Sequence, residues 1–284
     1  MRRPLNPDAT DNNGATVELQ VARIRSLAPA PARDAFTIIN GGPGGSSLSL
    51  YADLGPVFSG ILRERDIIIV DQRGTGRSTK LTCPKLESSP QEIDPETIAG
   101  FAKDCVDELP ADPRFFSTSV AVKDLEALRA QLRYRQLTIY GVSYGTRVAQ
   151  HYARQYPKRT RALVIDGVLP APMTLGPQIA RNAQQVLDSI FARCSNDAAC
   201  NAAFPNLQRE FTQLQQELQD DPKEFTLAHP ITGQTETMEL EYGHLAVVLR
   251  LLSYAPETGS LIPLLIHETA TSGNYLPLAA QALK

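Results

Sequence analysis

The residues best suited to chemistry lie between Gln136 and Gln155, QLTIYGVSYGTRVAQHYARQ. Leu137-Thr138-Ile139-Tyr140 is β-branched and aromatic, which predicts a strand. The residues after Gly145 follow a helical pattern. Between the two, Gly141-Val142-Ser143-Tyr144-Gly145 sets a serine at the apex of a strand–turn–helix junction. A hydroxyl presented on such a corner can attack a carbonyl carbon. Glycine suits positions 141 and 145, because neighbouring chain passes too close there for a side chain.

Acyl transfer also needs hydrogen-bond donors aimed at the oxyanion of the tetrahedral intermediate. One expected donor is the N–H that follows the nucleophile, Tyr144. The other is expected in a loop after an early strand. Ala35-Phe36-Thr37-Ile38-Ile39 reads as that strand and runs into Asn40-Gly41-Gly42-Pro43-Gly44-Gly45-Ser46-Ser47. Gly42 is the candidate donor. A phosphate loop is the competing reading, but no Gly-Lys-Ser/Thr follows and Pro43 removes a donor. A third block, Asp66-Ile67-Ile68-Ile69-Val70, reads as a strand buried on both faces and ends in Asp71-Gln72-Arg73-Gly74-Thr75-Gly76-Arg77-Ser78. Asp71 and Arg73 are read as structural ion-pair candidates rather than catalytic groups.

A serine nucleophile needs a general base and an acid that orients it. The chain has four histidines. His151 falls eight residues beyond Ser143 on the predicted helix, about 12 Å along its axis, which is too far for a hydrogen bond. His229 precedes Pro230 in a loop-like stretch, and His244 and His267 lie in helical patterns. None has the strand-then-loop setting expected of a base. His244 and His267 remain the alternatives, and Asp166, ending the apolar run Ala162–Ile165, is a possible acid.

The elements that must position these residues are legible in outline. Val17–Ile24 alternates as one edge-type strand. A helix interrupted near Gly55-Pro56 is expected within Leu48–Leu62, with further helices at Pro95–Leu109 and Ser119–Leu132. In the last of these, Val122, Leu125, Leu128 and Leu132 share one face. Strands near 36, 67, 138 and 163, separated by helices, predict a parallel sheet. Pro170-Ala171-Pro172 marks a boundary, beyond which the pattern reads as helical throughout. Ile179, Ala183, Val186, Leu187, Ile190 and Phe191 are expected on one apolar face there. Glu239 and Glu241 read as exposed helix glutamates.

In this order GGPGGSS, DQRGTGRS, GVSYGTRVAQHYARQYP and Leu163-Val164-Ile165-Asp166-Gly167-Val168 resemble the proline iminopeptidase and tripeptidyl aminopeptidase branch of the α/β-hydrolase serine peptidases. Asn40 departs from the pattern, since many relatives carry His there. The resemblance implies an α/β-hydrolase fold with a mostly parallel sheet, flanking helices and a helical cap insertion. It divides the chain into a core over 1–170 and a cap over 171–284. It further implies that a Ser143 acyl-enzyme releases residues or short peptides from the free N-terminus of a peptide substrate. In that family the acid and histidine follow the helical insertion, so the chain is expected to be truncated before them. The rival readings are an esterase on the same scaffold and a non-catalytic fragment or pseudoenzyme.

Composition agrees with a globular enzyme. The 284 residues are 42% hydrophobic, with net charge −3. Lysines and arginines are interspersed with acids and form no basic stripe, which argues against nucleic acid as a partner. No run of 18 apolar residues predicts a membrane span. Cys83 and Cys105, and Cys194 and Cys200, form two local pairs that predict two disulfides. The absence of a C-x-x-C spacing speaks against zinc, and no metal or cofactor is expected. Disulfides would place the protein in the periplasm or outside the cell, with reduced thiols in the cytoplasm as the alternative.

Overall fold

The computed structural model describes residues 1–9, 14–83 and 95–283. They divide into two units, Met1–Met173 and Thr174–Lys284. The first begins with the antiparallel pair β1 (Arg2–Pro4) and β2 (Thr16–Glu18). A five-stranded sheet follows from β3 (Val21–Ile24), β4 (Ala35–Ile39), β5 (Asp66–Val70), β6 (Leu137–Val142) and β7 (Thr160–Asp166), in the order β3-β5-β4-β6-β7. β3 runs antiparallel to β5, and the other pairs are parallel. The single strand expected over Val17–Ile24 is therefore two. The break at Leu19-Gln20 lets Ser78 Oγ accept from Gln20 N–H at 2.9 Å, while Thr79 Oγ1 accepts from Glu18 N–H at 2.8 Å.

β4 and β5 are buried at every position, because both faces of the sheet are covered. Side chains alternate along β5: Ile67 and Ile69 pack with Phe36, Ile38 and Phe58. Ile68 and Val70 pack on the opposite face with Val122, Leu125, Leu128, Val148 and Tyr152. On the first face the contacts come in part from α1 (Ser47–Leu54), and on the second from α3 (Thr118–Gln131) and α4 (Tyr144–Gln155); a further helix, α2, spans Pro95–Glu108. α1 ends at Gly55-Pro56, where short 3-10 turns take over. Cys83 is bonded to Cys105 of α2; the polar stretch 84–94 that the sequence set between them lies outside the described residues.

The second unit has its own core. It comprises α5 (Ile179–Asn196), α6 (Ala198–Ala203), α7 (Leu207–Asp220), β8 (Lys223–Ala228), β9 (Thr235–Leu240), α8 (Tyr242–Leu252), α9 (Pro256–Gly259), α10 (Ile262–Ser272) and α11 (Leu276–Ala282). β8 and β9 form an antiparallel hairpin where helix was expected throughout. Burying a leucine such as Leu214 or Leu218, both fully enclosed, contributes about 1.5–3 kcal/mol. On α5 the core face is Leu187, Ile190, Phe191 and Cys194, one i, i+3, i+4, i+7 stripe; Ile179 and Val186 fall off it and are exposed. Cys194 is bonded to Cys200, tying the end of α5 to α6. Among the described residues no helix is long and apolar enough to cross a membrane.

Candidate active site

Ser143 sits between β6 and α4 with φ 54° and ψ −120°, a conformation that costs a non-glycine residue on the order of 1–3 kcal/mol. The surrounding contacts hold it there. Its N–H donates to the Asp166 carbonyl at 2.8 Å, and its carbonyl accepts from Thr146 N–H at 3.0 Å and Thr146 Oγ1 at 2.6 Å. The flanking glycines are sterically required. A Cβ at Gly141 would lie 2.4 Å from the Gly145 carbonyl oxygen, and one at Gly145 would lie 2.2 Å from that of Ile39. The serine itself is exposed.

The loop after β4 comes directly against it. A Cβ at Gly41 would lie 2.7 Å from Ser143 Cβ and 3.2 Å from Ser143 Oγ, so only glycine lets the loop approach so closely. Gly42 has φ +108°, in the region that favours glycine. Neither Gly42 N–H nor Tyr144 N–H hydrogen-bonds to an acceptor among the described residues. By contrast, Gly41 N–H donates to Asn40 Oδ1 at 2.7 Å and Gly45 N–H to the Gly41 carbonyl at 3.1 Å. A cavity of about 270 Å³ adjoins this loop, walled by Pro43, Gly74, Leu81, Phe116, Ala121 and Tyr144 among others. The Tyr144 hydroxyl is fixed by Thr118 Oγ1 at 2.5 Å.

Asp71 and Arg73 are structural but do not pair with each other. The buried Arg73 guanidinium grips Asp124 through Nε at 2.7 Å and Nη2 at 2.9 Å, and donates to the Leu5 and Phe115 carbonyls. Asp71 accepts from Ser46 Oγ at 2.8 Å, Leu48 N–H at 3.1 Å and Arg77 N–H at 3.2 Å, joining the loop after β5 to the start of α1. Gly76 is required beside it: a Cβ there would overlap Asp71 Oδ2 at 1.9 Å. The structural role read for Asp71 is thus carried by hydrogen bonds to the loop and helix start rather than by an ion pair with Arg73.

Asp166 lies at the carboxyl end of β7, where its Oδ2 accepts from Tyr140 OH at 2.7 Å. That bond, with burial and the negative charge, raises the Tyr140 pKa. Within the first unit no imidazole bonds to Asp166 or to Ser143 Oγ among the described residues. His151 on α4 is held below its usual pKa by burial and then by Arg154, and its Nε2 is buried without a partner. The histidines of the second unit have local partners. His229 Nδ1 accepts from Ile231 N–H at 3.1 Å in the hairpin turn. His244 completes a capping box with Glu241 at the start of α8. His267 Nδ1 lies 3.0 Å from Glu210 Oε2, with the Phe204 ring edge-on. Glu239 is on strand β9 opposite Glu224, and Glu241 is a helix cap, so neither is the exposed helix glutamate expected.

The profile of the α/β-hydrolase fold family matches residues 34–242, and the chain belongs to that family. The serine protease Hip1 of Mycobacterium tuberculosis (strain ATCC 25618 / H37Rv) is 29% identical over 218 residues, covering 69% of this chain and 41% of that protein. The tripeptidyl aminopeptidase of Streptomyces lividans is 29% identical over 174 residues, covering 55% and 32%. The chain thus spans less than half the length of these curated relatives. Among solved structures, proline iminopeptidase of Mycobacterium smegmatis aligns with a TM-score of 0.40 at 18% identity, over 69% of this chain and 52% of that one. A thermophilic esterase from Thermogutta terrifontis aligns with a TM-score of 0.37 at 17% identity, over 75% and 63%.

Proposed function

We propose that the protein is a serine hydrolase of aminopeptidase type. Ser143 Oγ attacks the scissile carbonyl, and the N–H groups of Gly42 and Tyr144 take the oxyanion. The amine leaves with a proton, and water then hydrolyses the Ser143 ester. The observation that carries this reading is the strained, exposed Ser143 with its Oγ against the Gly41-Gly42 turn. Relatives named as a serine protease and a tripeptidyl aminopeptidase support a peptide substrate with a free N-terminus. The two bonded cysteine pairs support an oxidising compartment, periplasmic or extracellular.

A second reading is a chain with almost no turnover of its own, and the histidines favour it. Each imidazole of the second unit is engaged locally, and His151 is a long way down α4. Without a base the serine remains an ordinary alcohol, with only oxyanion stabilisation, about 10³-fold over water, to assist it. Labelling with a fluorophosphonate, read by mass spectrometry, separates the two. The serine hydrolase reading expects label on Ser143 and none on a Ser143→Ala variant; equal labelling of both would remove Ser143 as nucleophile. Slow labelling, relative to a serine hydrolase of known activity, favours the second reading. Tripeptidyl anilides tested beside p-nitrophenyl esters then decide substrate class, with ester turnover alone favouring an esterase.

A further inference from the structure

The Gly-rich loop offers two consecutive amides, Gly41 and Gly42, against Ser143. They are not equivalent, and the difference comes from Asn40. Its Oδ1 takes the Gly41 N–H at 2.7 Å, and its Nδ2 donates to the Ser46 carbonyl at 2.9 Å across the loop. Its own N–H donates to Ser47 Oγ at 3.1 Å, at the start of α1. The carboxamide therefore lies within the loop rather than against the serine. Gly45 must be glycine for this: a Cβ there would lie 2.7 Å from Asn40 Nδ2. One side chain acts as both acceptor and donor, consuming one amide and leaving its neighbour without a protein acceptor among the described residues.

We propose that Asn40 is a positioning residue that selects Gly42 N–H as the loop's oxyanion donor by engaging the Gly41 N–H and bracing the Ser46 carbonyl. The proposal rests on the reading of Ser143 as nucleophile. It requires both halves of the carboxamide. Aspartate in the same place keeps the acceptor but loses the donor, and its carboxylate faces the Ser46 carbonyl oxygen. A protonated aspartic acid regains a donor, so its defect has a pH signature that simple loop damage lacks. Alanine loses both halves and frees the Gly41 amide.

The test compares wild type, Asn40→Asp, Asn40→Ala and Ser143→Ala in p-nitrophenyl acetate hydrolysis across pH. Both Asn40 variants should lose about 10- to 100-fold in kcat with KM changed less than about twofold. The ratio of Asn40→Asp to wild-type rate should rise towards acidic pH. If Ser143→Ala abolishes turnover while Asn40→Asp stays within about twofold of wild type at every pH, the proposal fails and the nucleophile stands. If Ser143→Ala keeps the full rate, the nucleophile reading fails instead. Amide hydrogen exchange by NMR answers without turnover. Gly41 N–H should be protected in wild type and lose at least about tenfold in protection in Asn40→Ala, while Gly42 N–H exchanges rapidly in both. Equal exchange of the Gly41 amide in the two proteins overturns the proposal.

Discussion

At the scale of single residues, the candidate site depends on atoms that are missing. Gly41, Gly141 and Gly145 are each set where one methyl group would strike backbone or Ser143. Gly145 is the tightest of the three, its absent Cβ 2.2 Å from the Ile39 carbonyl oxygen at the end of β4. Since the obstacle is backbone inside the sheet, no side-chain rotation relieves it. Gly145→Ala should cost about 3 kcal/mol, read as a lowered denaturation midpoint. Gly44→Ala, with open space but φ +111°, should cost less, about 1 kcal/mol. A Gly145→Ala protein as stable as wild type would show that β4 and α4 are less closely apposed. The pentapeptide around Ser143 was legible in the sequence because it is local: strand, turn and helix are contiguous. The part contributed by Thr118 was not, because the Tyr144 hydroxyl it holds is brought near only by the fold; Asp166 was legible as a possible acid at the end of an apolar run, but not its bond from Tyr140 OH. Asn40 stood out in the sequence only as a departure from the pattern it resembles; that its carboxamide takes the Gly41 N–H is shown by the loop's folded geometry.

At the scale of elements, strands were readable where their pattern was extreme. β4 and β5 are apolar runs, apart from Asp66 and Thr37, and both faces of the sheet are covered around them. The β8–β9 hairpin was missed although Phe225 and Leu227 alternate with exposed residues, as do Met238 and Leu240. Its two strands are short, flanked by strong helices, and carry glutamates that helices also favour. Asp66 shows how a charged residue belongs in a buried strand. Its carboxylate accepts from Arg23 Nη2 at 2.7 Å, Ser26 N–H at 2.7 Å and Tyr134 OH at 2.5 Å, linking β5 to the edge strand β3. Burial alone would raise its pKa, but the bonds from Tyr134, Ser26 and Arg23 together outweigh it and hold the carboxyl below its usual value. A lowered folded pKa means stability that is present above the unfolded value, about 3.9, and lost as pH falls through the folded one. Asp66→Asn should therefore lose about 1–3 kcal/mol at pH 7, and its deficit should shrink below about pH 4. Urea denaturation at pH 7 and pH 3 checks this; a deficit that is unchanged at pH 3 would remove the charge as its cause.

At the scale of the whole sheet, the two borders are unlike. β3 is bonded on one side to β5, and its Arg23 is held by Asp66. Among the described residues β7 pairs only with β6 and forms the other edge. It carries the sequence of an interior strand, Ala162-Leu163-Val164-Ile165, yet Val164 is 47% and Ile165 40% exposed, against 0% for Ile139 on β6. A parallel edge with unpaired backbone groups and apolar side chains is a template for adding another strand, whether from a partner or from a second copy in an aggregate. Natural edges are blunted by charge, most often lysine, and β7 has its basic residue only at Arg161, near its start. Val164→Lys should thus raise the fraction remaining monomeric by light scattering and slow turbidity on warming. Val168→Lys removes an apolar side chain that is 51% exposed but lies beyond the strand, so it should help less. Equal benefit from the two would mean that general surface hydrophobicity, not strand addition, drives association. No benefit from either would mean that the β7 edge is not where the molecules meet.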